Sequence, residues 1–215
     1  MRKKELAKEV ISRLAERYPD AACALKWSGQ PWRLLVMSRL SAQCTDKKVN
    51  AISVPLFEKY PTPDAMASCE IEELEAIIRP CGLYKMKAKN IKDSCAMLIE
   101  KFGGELPSDM DMLLSLPGVG RKIANLLRGD VFSLGGIVTD THYIRITKRL
   151  GMYPEKEKNP ARIERLTEPL IPKEKQTDFC HRIVLLGREI CTAQSPKCHL
   201  CPLSDICKTA KKKQG

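Results

Sequence analysis

The sequence predicts an all-α protein, and three observations lead to that class. Leu, Ile, Ala and Met occur with abundant Lys and Glu, which lose little side-chain freedom in a helix, whereas only 5% of the residues are aromatic. Apolar positions recur at helical spacing, and no segment alternates as a strand would. A chain of 215 residues that is 43% apolar can bury a substantial core, in one domain or in two small lobes.

The predicted helices follow from apolar periodicity and from residues that begin or end a helix. In chain order they run from about Leu6 to Tyr18, Pro31 to Leu40, Thr45 to Phe57, Pro63 to Ala67, Ile71 to Ile78, Lys85 to Phe102, Met110 to Leu114, Arg121 to Phe132, Asp140 to Leu150, Asn159 onward, and Lys175 to Ile190. Thr45 and Asn159 are predicted N-caps, and Ser108 with Asp111 resembles a capping pair. The polar tail from Lys208 to Gly215 is expected to be frayed, or alternatively to attract phosphate.

Charge and cysteine content narrow the function. The net charge of +11 favours a polyanionic partner, although a basic face is often only solvated. The N-terminal residues lack the apolar stretch of a secretory signal, and no segment reaches membrane-spanning length. Ten cysteines in such a chain indicate a reducing compartment and metal binding. Six of them have no ligand spacing and are expected to be core thiols: Cys23, Cys44, Cys69, Cys81, Cys95 and Cys180.

The other four cysteines are close together near the C-terminus. Cys191, Cys198, Cys201 and Cys207 are separated by six, two and five residues. Four thiolates in one short segment can surround either a tetrahedral zinc ion or an iron–sulfur cluster. The spacing predicts a metal centre and leaves both possibilities open.

A second motif lies in the middle of the chain. The run Leu116-Pro117-Gly118-Val119-Gly120-Arg121-Lys122 places a tight turn between two predicted helices. Both glycines can adopt positive φ or admit a close neighbour, and the amides that begin the second helix form an anion site suited to a DNA phosphate. The alternative is an ordinary turn between two core helices.

Lys122 and Asp140 add chemistry to this motif. Lys122 lies in the first turn of its helix, where the dipole and partial burial would favour a neutral, nucleophilic amine. Asp140 is expected to cap its own helix as an ionised carboxylate, placed to stabilise positive charge on a sugar or to pass a proton through water. Alternatively, Lys122 only contacts phosphate and Asp140 is only a cap.

On these residues the chain resembles the endonuclease III family, in the helix-hairpin-helix superfamily of DNA glycosylases. The resemblance implies a two-lobed all-α fold with a C-terminal [4Fe-4S] cluster loop ligated by Cys191, Cys198, Cys201 and Cys207, with no ligand role for His199. It implies that Lys122 attacks C1′ and forms a Schiff base, assisted by Asp140. Base release and β-elimination of the 3′ phosphate would then make the enzyme a bifunctional glycosylase and abasic-site lyase acting on oxidised pyrimidines.

The resemblance also implies domains and DNA contacts. Residues 24–134 would form a six-helix domain with the hairpin, and residues 1–23 and 135–215 the cluster domain. Gln43 and Leu83 would fill the gap left by a flipped nucleotide. The remaining implied DNA-binding residues are Leu116, Gly118, Val119, Gly120, Arg121 and Lys197. A monomer acting on damaged double-stranded DNA, cytoplasmic and associated with the nucleoid, is expected.

The sequence differs from the family pattern at two places, and two other functions fit the same motifs. Arg128, Gly129 and Asp130 are polar where the family helix is usually apolar, and the loop before Cys198 carries only Lys197 as a basic residue. The sequence also fits two alternatives, a DNA-binding module with a redox-sensing cluster and a hairpin protein stabilised by zinc.

Overall fold

The computed structural model describes residues 2–214, with side chains described for residues 2–211. Within residues 2–214 the regular structure is helical and contains no strand, so the all-α prediction is confirmed. The α-helices are α1 Lys3–Arg17, α2 Pro31–Leu40, α3 Asp46–Lys59, α4 Pro63–Ser68, α5 Ile71–Ile78, α6 Tyr84–Phe102, α7 Met110–Ser115, α8 Arg121–Asp130, α9 Thr141–Leu150, α10 Pro160–Thr167, α11 Gln176–Glu189 and α12 Lys208–Gln214. Short 3₁₀ turns occur at Arg79–Cys81, Glu168–Leu170, Lys173–Lys175 and Cys198–Leu200.

The chain folds into two compact units. The central unit is the continuous segment Ala24–Phe132 and contains α2 to α8. The terminal unit is discontinuous, because the residues up to Cys23 join those from Ser133 onward. It contains α1 and α9 to α12.

The central unit is built around its longest helix, α6. This helix packs against α2, α4 and α5, while α8 packs against α2 and α7. The α6 residues Ala88, Ile91, Cys95 and Leu98 recur at three- or four-residue spacing and are fully or almost fully buried. Trp32 and Phe57 meet edge to face with ring centroids 5.2 Å apart. The motif-bearing α7 and α8 are thereby fixed to a packed helical core.

The terminal unit is built around α9 and α11, which pack against each other. Tyr143 and Phe179 are fully buried and lie edge to face at 6.1 Å. The Tyr143 hydroxyl donates a hydrogen bond to Thr167 Oγ1 at 2.8 Å, so its one polar atom is satisfied inside the core. Burial raises the pKa of Tyr143, which keeps this hydroxyl neutral.

The N-terminal helix belongs to this unit through packing and charge. Leu6, Val10 and Leu14 line the buried face of α1, which packs on α11. Arg13 donates to Asp205 Oδ1 at 2.6 Å and to the Pro202 carbonyl at 2.9 Å. These bonds join residues almost two hundred positions apart in the chain, so α1 holds the segment that contains the last cysteines.

Two of the predicted caps are confirmed, whereas one cap and two helix ends are wrong. Thr45 and Asn159 cap α3 and α10, as predicted. Asp109 caps α7 instead of Ser108, because its carboxylate accepts bonds from the amides of Asp111 and Met112 at 2.9 and 3.0 Å.

The other two errors concern helix ends. The helix after the hairpin ends at Asp130 instead of Phe132, just after Gly129, a residue type that favours helix termination. The tail is not frayed from Lys208, because α12 forms there and Ala210 is 2% exposed.

Four of the six cysteines outside the C-terminal cluster are buried, as predicted: Cys69, Cys81, Cys95 and Cys180. Cys23 and Cys44 are only half-buried, so for these two the expectation of core thiols is wrong. Burial raises the pKa of Cys95 to about 12, which makes that thiol inert. Among the described residues, no helix is both long enough and apolar enough to cross a membrane.

The observed cap of α7 can be tested against the predicted one. Asp109→Ala removes the acceptor for two amides at the start of α7 and is expected to lower the free energy of unfolding by about 1 kcal/mol. Urea denaturation followed by far-UV circular dichroism measures the change. Ser108→Ala is the matched control and is expected to be nearly neutral. An equal or larger loss in the Ser108 variant would restore the original assignment.

Candidate active site and cysteine cluster

The hairpin between α7 and α8 is anchored by its apolar residues. Leu116 and Val119 are 2% and 7% exposed, and the Val119 amide donates to the Leu116 carbonyl at 3.0 Å. Both side chains therefore pack in the core, and any DNA contact at these two positions must come from the backbone. Ser94 Oγ donates to the Pro117 carbonyl at 2.9 Å, which ties the turn to α6.

The two glycines of the hairpin differ in backbone conformation and in the space around the Cα atom. Gly118 has a φ of 72°, and a Cβ there would lie 2.5 Å from Arg39 Nη2. Gly120 has a φ of −99° and open space around its Cα, so the prediction of positive φ holds only for Gly118. Gly118 thus allows the Arg39 guanidinium to lie directly under the turn.

Arg39 was not identified from the sequence. Burial lowers the pKa of its guanidinium, and its Nε has no hydrogen-bond partner among the described residues. Arginine nevertheless stays protonated in proteins, so a fixed positive charge lies beneath the hairpin. Only its contact with Gly118, 79 positions away, distinguishes Arg39 from other arginines, so no local pattern marks it.

Lys122 is the second residue of α8, directly after the hairpin, and its side chain is exposed. The expected partial burial is therefore wrong. An exposed amine at the mouth of the hairpin is accessible to a large substrate, which a buried one would not be.

Asp140 is the N-cap of α9, as the sequence predicts. Its Oδ1 accepts a hydrogen bond from the Tyr143 amide at 2.6 Å, and its own backbone amide bonds the Val138 carbonyl at 2.9 Å. Tyr143 is fully buried, so this cap is attached to the core of the terminal unit. The carboxylate is half-buried and held in one orientation with a second oxygen available for chemistry.

Gln43 and Leu83 share an unusual backbone conformation. Their φ angles are 56° and 51°, in the left-handed region that side chains other than glycine rarely adopt. Both side chains are exposed, and Leu83 is 50% exposed although it is large and apolar. Strained backbone conformations of this kind cluster at functional sites, where the surrounding structure holds them in place.

The four cysteines of the C-terminal segment line one small apolar pocket, with Ile190, Pro196 and Ala210 among their neighbours. Among the described side chains, no three His, Cys, Asp or Glu residues are arranged to hold a single metal ion. Burial raises the pKa of Cys201 to about 11, so this thiol ionises only when a cation binds the sulfur. Four soft sulfur donors around a shared apolar cavity fit an iron–sulfur cluster.

Two arginines of α9 hold the loop that begins at Cys191, and neither was identified from the sequence. Arg149 Nη1 donates to Cys191 Sγ at 3.2 Å and to the Thr192 carbonyl at 2.7 Å. Arg145 donates to the Cys191 carbonyl at 3.0 Å from Nη2 and 3.1 Å from Nε. Hydrogen bonds to a ligating sulfur stabilise its anionic form. The i, i+4 spacing of the two arginines places them on one face of α9.

Lys197 lies between the first two cysteines and has an exposed side chain. Its amide donates to the Ile190 carbonyl at 2.9 Å, which fixes the backbone at this point of the loop. His199 is also exposed, in the short turn Cys198–Leu200.

Comparison with known proteins agrees with this geometry. Residues 36–173 match the HhH-GPD superfamily of base excision DNA repair proteins, and residues 191–207 match the iron-sulfur binding domain of endonuclease III. The [4Fe-4S] prediction is thereby confirmed, and the zinc alternative is wrong.

Relatives match over almost the whole chain. Endonuclease III of Synechocystis sp. is 41% identical over 97% of this chain and 94% of that protein, and endonuclease III of Bacillus subtilis is 41% identical over 94% and 92%. A solved structure of a trapped endonuclease III–DNA covalent intermediate is 43% identical with a TM-score of 0.93, over 100% of both chains. The chain therefore belongs to the endonuclease III family, and it is an iron–sulfur DNA glycosylase with abasic-site lyase activity that acts in base excision repair.

Proposed function

We propose that this enzyme binds damaged double-stranded DNA, removes oxidised or ring-damaged pyrimidines with Lys122 as the nucleophile, and then cleaves the strand. The observation that carries the proposal is the exposed amine of Lys122 in the first turn of α8, immediately after the hairpin. A covalent intermediate with DNA was trapped for a 43% identical endonuclease III, and Lys122 is the nucleophile that we assign to the same chemistry here.

The reaction begins at C1′ of the damaged nucleotide. The Lys122 amine forms a bond to C1′, and the electrons of the glycosidic bond leave with the base, which takes up a proton. Loss of the amine proton and opening of the sugar give a Schiff base. Removal of a C2′ proton then expels the 3′ phosphate by β-elimination. The attack on C1′ requires a neutral amine, and the proton transfers in the later steps require a group that relays protons near the sugar.

Asp140 is suited to that second role. Its cap bond to the Tyr143 amide at 2.6 Å prevents the carboxylate from turning away from its position at the start of α9. A fixed negative charge stabilises the positive charge that develops on C1′ as the base departs. The same carboxylate can pass a proton through an intervening water molecule.

DNA is bound through backbone amides and basic side chains. The amides of Gly118, Gly120 and Arg121 belong to the hairpin and to the start of α8, where the helix dipole favours a phosphate. Lys197 adds an exposed positive charge in the cluster loop. Gln43 and Leu83 fill the vacated stack after the nucleotide is flipped, which offsets part of the cost of unstacking.

The two compact units suggest that the hairpin and the cluster belong to separate domains. We propose that residues 24–134 form the helix-hairpin-helix domain and that residues 1–23 and 135–215 form the cluster domain. The cluster is structural in this proposal. When bound, it cross-links four points of the C-terminal loop, and the [4Fe-4S] ligands are Cys191, Cys198, Cys201 and Cys207. We further propose that the enzyme acts as a monomer in the cytoplasm, at the nucleoid.

The nucleophile is tested by borohydride trapping on duplex DNA that contains thymine glycol. The wild-type chain is expected to form a covalent adduct, and Lys122→Ala is expected to form none, because the Schiff base requires that amine. Lys89→Ala is the matched control, since Lys89 is an exposed lysine of α6 that pairs with Asp93. Undiminished adduct in the Lys122 variant would assign the nucleophile to another residue.

The role of Asp140 is tested with Asp140→Asn. Asparagine is as good an N-cap as aspartate, so α9 should keep its start and the protein its stability. Loss of the negative charge is expected to slow base release by about 100-fold while DNA binding stays unchanged. Single-turnover kinetics and a binding titration separate the two effects. A wild-type rate of base release would remove Asp140 from the mechanism.

The structural role of the cluster is tested with Cys201→Ser. Loss of one ligand is expected to reduce the yield of folded, iron-containing protein, measured by iron content and visible absorbance. The fraction that folds should retain base release, because no cysteine takes part in the chemistry. Cys23→Ser, outside the cluster, should load iron normally. A Cys201 variant that folded with full yield yet lost all cleavage would contradict a purely structural cluster.

A further inference from the structure

Lys87, in the first turns of α6, is a fully buried lysine that the proposed reaction does not use. It is 0% exposed, although lysine is almost never buried without a partner. Its Nζ donates to three backbone carbonyls: Leu40 at 2.9 Å, Ala42 at 2.7 Å and Cys81 at 2.9 Å. An ammonium group has three donors and no acceptor, so these three carbonyls satisfy it completely.

The three carbonyls lie at the ends of two separate helical elements. Leu40 is the last residue of α2 and Ala42 lies two residues later, while Cys81 is the last residue of the 3₁₀ turn Arg79–Cys81. Carbonyls at the ends of helices lack intrahelical partners and carry the negative end of the dipole. The Lys87 ammonium therefore neutralises two helix ends at once, and it connects segments that are about forty residues apart in sequence.

Each of these segments leads directly into a strained residue. Gln43 follows Ala42, and Leu83 lies two positions after Cys81, with φ angles of 56° and 51°. Such conformations persist only where the surroundings hold the backbone firmly. The bonds from Lys87 fix the carbonyl directly before Gln43 and a carbonyl two residues before Leu83, so they supply that restraint.

The thiols of Cys44 and Cys81 provide a second contact between the same segments. Burial raises the pKa of Cys81, and a hydrogen bond with the Cys44 side chain raises it further. The Cys81 thiol is therefore held neutral, and the two segments touch at Cys44, directly after Gln43, as well as at Lys87. The two exposed side chains are thus carried by one connected unit of backbone.

We propose that Lys87 is a positioning residue for nucleotide flipping, because its ammonium holds the segments of Gln43 and Leu83 in register so that both side chains enter the DNA together. This inference rests on the proposed function, in which these two side chains fill the gap left by the damaged nucleotide. Lys87 itself touches neither DNA nor the reacting sugar. Its removal should impair flipping more than the chemistry that follows.

The test measures Lys87→Met and the wild-type chain on two substrates. Methionine keeps most of the length of the lysine side chain and removes its charge. Release of thymine glycol from duplex DNA requires a base to leave the stack, whereas lyase cleavage at a preformed abasic site does not. We expect the first rate to fall by about tenfold or more and the second by less than about threefold, measured in single turnovers. Equal losses on both substrates, or no loss on either, would overturn the proposal.

Insertion of the Gln43 and Leu83 side chains into DNA can also be measured without any reaction taking place. A fluorescent adenine analogue opposite a stable abasic-site analogue brightens when it is unstacked, and the Lys87 variant should reduce this signal at saturating protein. An unchanged signal would overturn the proposal even if base release were slow. If the wild-type chain inserts but releases no thymine glycol, the assigned lesion or nucleophile is wrong, and the insertion signal still decides the role of Lys87.

Two further variants separate positioning from folding. Lys89 lies on the same helix as Lys87 but has an exposed side chain. The Lys89→Met variant should therefore match the wild-type chain in every assay. Lys87→Gln retains two donors and should give an intermediate loss of insertion. If Lys87→Met does not fold, the Gln variant alone carries the comparison of the two rates. A folded Gln variant that lost both rates equally would indicate a general structural role.

Discussion

The terminal unit depends on the burial of one face of α9. Tyr143, Ile146 and Leu150 recur at helical spacing on that face, and all three are buried. The N-terminus of the helix holds Asp140 through its cap bond, and two arginines further along the helix, Arg145 and Arg149, hold the cysteine loop. A rigid helix ten residues long therefore sets the position of the Asp140 carboxylate and of the cysteine loop.

The central unit depends on backbone conformations that are costly and must be held in place. Gly118 makes a positive φ available without strain and leaves room for Arg39. Gln43 and Leu83 adopt similar φ values without that freedom, and packing and hydrogen bonds compensate for the strain. The turn and both exposed side chains belong to loops, while α2, α6 and α8 supply the rigid support. Binding residues on loops held by packed helices are a common arrangement in proteins.

The high positive charge of the chain has two uses. The sequence contains 37 Lys and Arg residues, but Lys87, Arg145 and Arg149 donate to backbone carbonyls inside their own unit. These cations satisfy helix ends and a loop that would otherwise leave polar groups unpaired. Lys122 and Lys197, by contrast, are exposed and available to an anionic partner. Net charge alone therefore overstates the surface that DNA can use.

Sequence alone predicted the features that depend on neighbours within a few residues. Helical periodicity gave the all-α class, and Thr45, Asn159 and Asp140 were correctly predicted as caps because each bonds an amide three positions ahead. The cysteine spacing predicted a metal centre, and family resemblance was needed to choose iron–sulfur over zinc. The choice of Ser108 over Asp109 was wrong because both residue types are good caps, and only backbone geometry decides between them.

Only the tertiary structure decided the features that depend on distant contacts. Lys87 bonds carbonyls 47, 45 and 6 positions away, and Arg149 reaches Thr192 across 43 positions. No local pattern distinguishes these residues from the other Lys and Arg residues of a basic chain. The exposure of Lys122 and the partial burial of Arg39 likewise follow from how the helices pack. Side-chain chemistry and spacing thus identify what a segment can do, whereas long-range packing determines which charged groups are held inside and which remain free to act.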